Sequence, residues 1–504
     1  MDTIQLPSLG VVGTLGVIGR LAVAACFALL VFAAWKAFLS YFCPAALGVE
    51  PFPDSEVKMT LKPHPIMGHI PYMGKCQIAG TKVFVDNATK EGLCSFYLFN
   101  APAVLVTKAE HVKKCLNKQT FRAKIPILAV HMEMFLGRRS IVQLMNKEWD
   151  KVRGKLTHSF KAYSFDDITR DMSSVASSLT ASINGQIRDA REGNMVALDI
   201  FSTMKKATLD VIGRTAFDYE FNCCTRTTKE PVAEAFEWLL DECSKRSYET
   251  PLDPRTMFYW LPTARNAKHK KMRNVVRSTL QECIDRKRAQ LRKGGDAIHN
   301  DFLRHMVEGS DSAESSDSAL SDEEMQDNLL TFFFGGFDTT SIALTYALYE
   351  IAKHPEIEKE ILAETDRVLG KRSGFAPIAL ADVRKLVYCT AVFKEALRMY
   401  PPAPVTARTT EKPLELEPGK LTVPAGTLLY IPIWWVHRSK DNWGDDAEVF
   451  KPERFVRRDD EGVAVSHAGK HHPYAWIPFS GGKRFCIGQR FATVEGTLFL
   501  ASVS

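Results

Sequence analysis

The segment Phe479-Ser-Gly-Gly-Lys-Arg-Phe-Cys486-Ile-Gly488 offers one soft, ionisable ligand inside a glycine-rich loop. A cysteine that ligates a metal does so as the thiolate, and its sulfur needs shielding from protonation and oxidation. Gly481, Gly482 and Gly488 permit a tight loop whose backbone N–H groups can point at that sulfur, and such donors tune a bound metal. Gln489 to Glu495 reads as the start of a helix, with a dipole that favours an anion in front of it. A buried free cysteine taken alone is more often inert packing. The arrangement of Phe479, Gly482, Arg484, Cys486 and Gly488 makes Cys486 a candidate ligand.

A second group sits inside a predicted helix. Ser321-Asp-Glu-Glu324 has the pattern of a capping box, and the apolar run from there to Lys353 predicts one long helix in the middle of a large core. Its middle, Phe334-Gly335-Gly336-Phe337-Asp338-Thr339-Thr340, is poorly suited to a helix, since each Gly costs of order 1 kcal/mol relative to Ala. Such local violations mark function: glycine lets a ligand approach the backbone, and threonine can bond a preceding carbonyl and bend the helix. Trp149 and Arg153, four apart, share one helix face. Arg408 and Arg484 add two more cations able to bind buried carboxylates bidentately. Glu395 and Arg398, three apart, can meet on a helix; an exposed pair of that kind would be worth little.

In this order the segments resemble the cytochrome P450 family of haem-thiolate monooxygenases, in its microsomal, membrane-anchored form. The loop is similar to the signature F-x-x-G-x-R-x-C-x-G, and Gly335 to Thr340 to the motif A/G-G-x-D/E-T-T. The resemblance implies that Cys486 is the axial ligand to the iron of a haem b. It implies that Trp149, Arg153, Arg408, Phe479, Gly482, Arg484 and Gly488 bind the cofactor, and that Asp338 and Thr339 are catalytic, relaying protons and activating oxygen. Glu395, Arg398 and Arg454 (in Pro452-Glu-Arg454-Phe) would form a structural triad. Gly154 departs from the pattern, because a second basic residue commonly follows the arginine. The chain also stops at Ser504, where relatives continue for several strands, so a C-terminally truncated catalytic domain is expected.

The fold so implied is mainly α with small β-sheets (α+β). A single large catalytic domain, 76–504, would follow an N-terminal membrane anchor, 1–48, and a proline-rich linker, 49–75. The chemistry implied is oxidation of an apolar small molecule such as a fatty acid, sterol, terpenoid or carotenoid, using O2. With no flavin or nicotinamide domain in the sequence, NADPH-derived electrons would come from a separate diflavin reductase, with cytochrome b5 as an optional second donor. Lys147, Lys151, Lys155, Lys483 and Arg490 could make a basic docking face for an acidic partner. Candidate pocket residues are Ile125 to Met134, Phe333, Phe334, Phe337 and Val405 to Ala407. Two other classes stay open: a haem-thiolate isomerase or dehydratase acting on a peroxide, and a truncated, non-catalytic haem-binding protein.

The whole chain agrees with a large globular body. Its 504 residues are 45% apolar and 25% charged, which is ordinary for a soluble core. A net charge of +6 without a dense Lys/Arg tract excludes a nucleic-acid binder. Eleven cysteines without a C-x-x-C pair argue against a disulfide framework or zinc ribbon and for a reducing compartment. The segment 21–35 carries no charge, and the apolar trend runs on to Cys43, broken by Lys36. That supplies the ~20 residues of a membrane helix. Lys36, Lys58, Lys62 and Lys75 follow the span, which predicts a cytoplasmic catalytic domain on the endoplasmic reticulum or another organelle membrane. Gly309 to Ser321 is too polar and acidic to bury anything and reads as a solvated loop.

Overall fold

Helical periodicity dominates the sequence between residues 165 and 400, and the chain is mainly helical with small sheets. The computed structural model describes residues 61–503 except 65–68, 70–71, 73–76, 99–100, 119–120, 123–131, 190–196, 227–229, 249–258, 260, 295–298, 312–318, 371–376, 420, 461, 468 and 470. The expected anchor, 1–48, most of the linker, and the pocket candidates 125–131 lie outside the described residues, as does 312–318 of the acidic loop. Among the described residues no helix is long and apolar enough to cross a membrane.

Contacts divide the chain into two compact units. One comprises Met1–Val106 and Lys412–Leu429. It holds α1 (Gln77–Asp86) and an antiparallel hairpin of β1 (Leu93–Leu98) and β2 (Ala101–Val106), with Leu93 opposite Val106 and Leu98 opposite Ala101. All six β1 side chains are buried, Ser95 among them. A second hairpin pairs Leu414–Glu417 with Leu421–Val423.

The other unit comprises Thr107–Glu411 and Tyr430–Ser504. Its longer helices are α2 (Ala109–Lys118), α3 (Asn146–Ala162), α4 (Phe165–Asp189), α5 (Ile200–Ile212), α6 (Pro231–Tyr248), α7 (Ala264–Lys293), α8 (Phe302–Asp311), α9 (Asp322–Lys353), α10 (Pro355–Leu369), α11 (Val387–Met399) and α12 (Gln489–Val503). Two short antiparallel pairs complete it: β3 (Phe121–Arg122) with β4 (Thr406–Thr409), and β5 (Val456–Arg458) with β6 (Ala464–Ser466).

The capping box forms as the sequence predicts. Glu324 N–H donates to Ser321 Oγ at 3.1 Å, and Ser321 N–H donates back to Glu324 Oε2 at 3.0 Å. From there α9 runs to Lys353 through the core, packed by α5, α11 and α12. Gly336 lets α9 approach α5 closely: a Cβ there would lie 2.7 Å from Ile212 Cδ1 of α5. At Gly335 a Cβ would meet nothing within 4 Å, and the residue is exposed in the middle of a buried helix. The two glycines therefore differ. Gly336 serves helix packing, and Gly335 alone faces open space.

Phe333 and Phe337, expected to line a pocket, are buried in an aromatic cluster, and Phe333 also lines a small cavity with Phe217, Phe221, Val232 and Leu280. Phe236 of α6 meets Phe333 at 4.1 Å and Phe337 at 5.8 Å between ring centroids. Phe334 is half-buried and stands edge-on to Phe135 at 5.6 Å.

Candidate active site

The thiolate loop is held from within. Cys486 N–H donates to Phe479 O at 2.9 Å, Phe485 N–H to Gly482 O at 3.2 Å, and Ser480 N–H to Ile477 O at 2.9 Å. Gly482 sits at φ +66° with Leu116 O only 2.1 Å from where a Cβ would be, so both backbone angle and space require glycine. The N–H groups of Gly488 and of Gln489, the first residue of α12, favour the ionised form of the Cys486 sulfur. Burial pushes the Cys486 thiol up, and those two donors with the Arg153 guanidinium oppose it. Cys486 is an exposed residue, although protein atoms crowd its thiol.

Three arginines gather on this loop. Arg484 donates to Leu144 O at 3.0 Å and stacks 4.0 Å above the buried Trp149 ring. Arg153, one turn along α3, lies 4.8 Å from the Phe485 ring and 5.7 Å from Trp149. Desolvation pushes its guanidinium down, and the neighbouring Cys486 acts the other way. Arg408, buried on β4, donates to Ser480 Oγ at 3.0 Å, Thr406 Oγ1 at 3.0 Å and Ala407 O at 2.8 Å. Trp149, Arg153, Arg408, Arg484 and the loop from Phe479 to Gly488 thus come together as expected.

Asp338 and Thr339 form a second group, on α9. Thr339 Oγ1 donates to Gly335 O at 2.5 Å, the back-bonding that bends a helix. Asp338 is mostly desolvated, which pushes its carboxyl up; Lys205 of α5, with Nζ 3.9 Å from Oδ1, pulls it down, and Glu237 raises it. A carboxyl balanced in this way can both hold and release a proton. Thr208 Oγ1 of α5 donates to Phe337 O at 2.9 Å and ties the two helices beside Asp338. Lys205 and Thr208 gave no signal in the sequence.

The charged triad lies fully inside. Glu395 and Arg398 are each 0% exposed and joined by two bonds of 2.8 and 2.7 Å. Arg398 also donates to the carbonyls of His437, Ala447 and Val449, and Arg454 Nε lies 3.4 Å from Glu395 Oε1. Asp446 is an unforeseen fourth member, accepting from Arg454 at 2.9 Å.

His437 extends this network to the thiolate loop. Its Nε2 accepts from Ile477 N–H at 2.9 Å, so the proton must be on Nδ1, which donates to Arg398 O at 3.0 Å. Burial holds its pKa down at about 3. The folded state therefore stays neutral while the unfolded imidazole protonates below its ordinary value of about 6.5. Stability is lost as pH falls, at about 1.4 kcal/mol per pH unit from this group between those values. Urea unfolding of wild type and His437→Gln across pH 7 to 5 checks this: wild type should show the steeper loss, and equal slopes would contradict it.

A family model described as cytochrome P450 matches residues 59–503. The chain belongs to the cytochrome P450 family. A probable cytochrome P450 4d20 of Drosophila melanogaster is 27% identical to this P450 over 81% of its chain and 78% of the fly protein. A bifunctional cytochrome P450/NADPH–P450 reductase 1 of Bacillus subtilis (strain 168) is 27% identical over 87% of this chain and 38% of the bacterial one. The chloroplastic carotene epsilon-monooxygenase of Arabidopsis thaliana is 32% identical over 62% of this chain and 56% of its own. This P450 is accordingly a haem-thiolate monooxygenase of a family that uses haem, O2 and reductase-derived electrons.

The residues present fit a haem. A thiol with inward-pointing N–H donors stands beside three arginines suited to two carboxylates, and Gly335 leaves room where any other residue would project. Of the expected basic face, Lys147, Lys151 and Arg490 are exposed, Arg490 lying 3.8 Å over the Phe165 ring, whereas Lys155 Nζ is turned to Ala319 O at 2.5 Å and Lys483 pairs with Asp150 at 2.6 Å.

Proposed function

We propose that this P450 inserts one oxygen atom from O2 into an apolar small molecule of the terpenoid, carotenoid, sterol or fatty-acid class. Its electrons come from a separate NADPH-dependent diflavin reductase, with cytochrome b5 as an optional second donor. The observation that carries this reading is the loop that aims the N–H groups of Gly488 and Gln489 at Cys486. When bound, the haem supplies oxygen activation and C–H oxidation, favoured by electron density from a thiolate ligand. Cys486 would hold the iron, and Trp149, Arg153, Arg408 and Arg484 would bind and orient the carboxylates. Asp338 takes and gives protons at its carboxyl oxygens, with Lys205 limiting how readily it stays protonated. Thr339 holds its hydroxyl on Gly335 O, from where it can turn to a proton acceptor in the open space beside that glycine.

Two relatives support the substrate class by their names, the carotene epsilon-monooxygenase and an 11-oxo-beta-amyrin 30-oxidase of Glycyrrhiza uralensis, 27% identical. The bifunctional relatives from Bacillus subtilis and Aspergillus oryzae carry their reductase in one chain, which supports an equivalent partner here. The uncharged segment 21–35 supports a single-pass anchor in the endoplasmic reticulum membrane with the catalytic domain in the cytoplasm. Removing residues 1–48 should move most of the protein to the soluble fraction with haem retained; unchanged membrane association would contradict the anchor.

Incubation with a diflavin reductase, NADPH, heavy-isotope O2 and one substrate from each class tests the reaction. One labelled atom should enter the product, and label-free rearrangement of a peroxide substrate would favour an isomerase. Thr339→Ala should leave haem binding intact while product per NADPH falls and hydrogen peroxide rises. Loss of a positioned proton-relay group lowers the dependent step by on the order of 10²-fold or more. Unchanged coupling would reduce Thr339 to a helix-bending residue.

A further inference from the structure

Asp327 and Asn328 are neighbours near the start of α9, and both are 0% exposed. Short polar side chains compete with a helix's own hydrogen bonds, and burying them costs free energy unless their polar atoms find partners. Here most of the partners come from outside the helix. Asp327 Oδ2 accepts from Arg139 N–H at 2.8 Å, and its other oxygen accepts from the Arg277 guanidinium of α7. Asn328 Oδ1 accepts from Ile141 N–H at 2.8 Å, while its amide donates to Arg139 O at 3.2 Å and to Glu324 O at 2.7 Å. The Asp327 carboxyl rests on the backbone of Gly137, which sits at φ +90° and where a Cβ would overlap that carboxyl.

The segment held in this way reaches both groups of the site. At one end Phe135, buried, meets the Phe334 ring edge-on at 5.6 Å, next to Gly335 and the open space that glycine faces. Glu133 O accepts from Gly137 N–H at 2.9 Å, so the short turn that carries Phe135 ends at the bonded residues. At the other end Leu144 O accepts from Arg484 of the thiolate loop at 3.0 Å. That end has a brace of its own, because the N–H groups of Gln143 and Leu144 both donate to Ser140 O.

We propose that Asp327, Asn328 and Arg277 are positioning residues, a clasp of α9 and α7 on the segment Gly137 to Ile141 that sets Phe135 against Phe334 and so fixes an apolar wall that selects the substrate. Arg277 is itself steadied by donating to Gln326 Oε1 at 3.0 Å. The bonds of the clasp go to the 139–141 backbone and to α7, so it governs which apolar molecule is held and not whether Cys486 ligates. This consequence for selectivity rests on the monooxygenase reading; the clasp itself does not.

Hydrogen exchange on the full chain tests the clasp. The amides of Arg139 and Ile141 should exchange as slowly as those in the middle of α9. Asn328→Leu, close in size but without the amide, should speed Ile141 by about tenfold or more, as expected when a protecting bond is lost. Exchange at the rate of an open loop in wild type, or no change in the variant, overturns the clasp whatever the enzyme does. Two nitrogen ligands of the haem, read by the shift of its absorbance band, test the consequence. Imidazole needs only the iron, whereas phenylimidazole also needs the wall. Gly137→Ala, Asn328→Leu and Arg277→Met should weaken phenylimidazole about tenfold and imidazole less than about twofold, the scale on which one apolar contact discriminates. The thiolate carbon-monoxide spectrum should be retained throughout. Arg138→Ala, whose exposed side chain pairs with Glu133 of the same segment, should change neither ligand. Equal weakening of both ligands, or of neither, overturns the positioning role. Loss of the carbon-monoxide spectrum in all the clasp variants overturns it too, by assigning the clasp to the fold alone.

Discussion

Cys486→Ala is expected to abolish turnover completely while leaving the fold standing. The side chain keeps accessible surface, so shortening it opens no core cavity, and unfolding free energy should change by less than about 1 kcal/mol. What disappears is the only sulfur in this loop that the N–H groups of Gly488 and Gln489 serve. Seven other described cysteines are free thiols, and for Cys94, Cys115, Cys223, Cys224, Cys283 and Cys389 burial is the first cause of a raised pKa. Burial raises Cys486 as well; what separates it is the pair of N–H groups of Gly488 and Gln489 and the Arg153 guanidinium that oppose the rise. Haem content, iron content and product formation per milligram measure the outcome. A variant with normal thiolate absorbance and any coupled turnover would place the ligand elsewhere.

Arg398→Ala should fail for the opposite reason, through the fold and not the chemistry. The guanidinium is wholly buried and bonds Glu395 twice as well as three carbonyls. Its removal leaves a carboxyl that burial already pushes up and that only Arg454 and the Lys451 N–H still stabilise. Breaking one side of a buried ion pair costs about 3–5 kcal/mol, a large share of a typical stability of 5–15 kcal/mol. The His437 contact to Arg398 O and Ile477 N–H carries the damage toward the thiolate loop. Lowered soluble yield, a lowered urea midpoint and loss of haem are expected together. Arg398→Lys should rescue little, because an ammonium cannot reproduce the planar fork. A folded, haem-loaded Arg398→Ala protein would show that the triad is dispensable.

The parts of the site legible in the sequence are those whose constraints lie close along the chain. The thiolate loop concentrates a left-handed glycine, a helix start and a cysteine within ten residues, and each restricts what may stand there. The capping box at Ser321 and the pair Glu395–Arg398 are equally local, and both formed as expected. Lys205, Thr208 and His437 escaped notice because each acts on a residue far away in sequence. A helix that is apolar nearly all round has no polar stripe to set its rotation, so the sequence did not show that Phe333 and Phe337 would pack on Phe236. Gly336 misled in the same way: its partner is Ile212, and a glycine kept for packing reads like one kept for a ligand.

The most direct test of the central claim is the carbon-monoxide difference spectrum of the reduced protein. With Cys486 on the iron, the spectrum should show the thiolate-type Soret band, stoichiometric with haem. A band at the position given by histidine-ligated or ligand-free haem, in protein that is folded and haem-loaded, would contradict it.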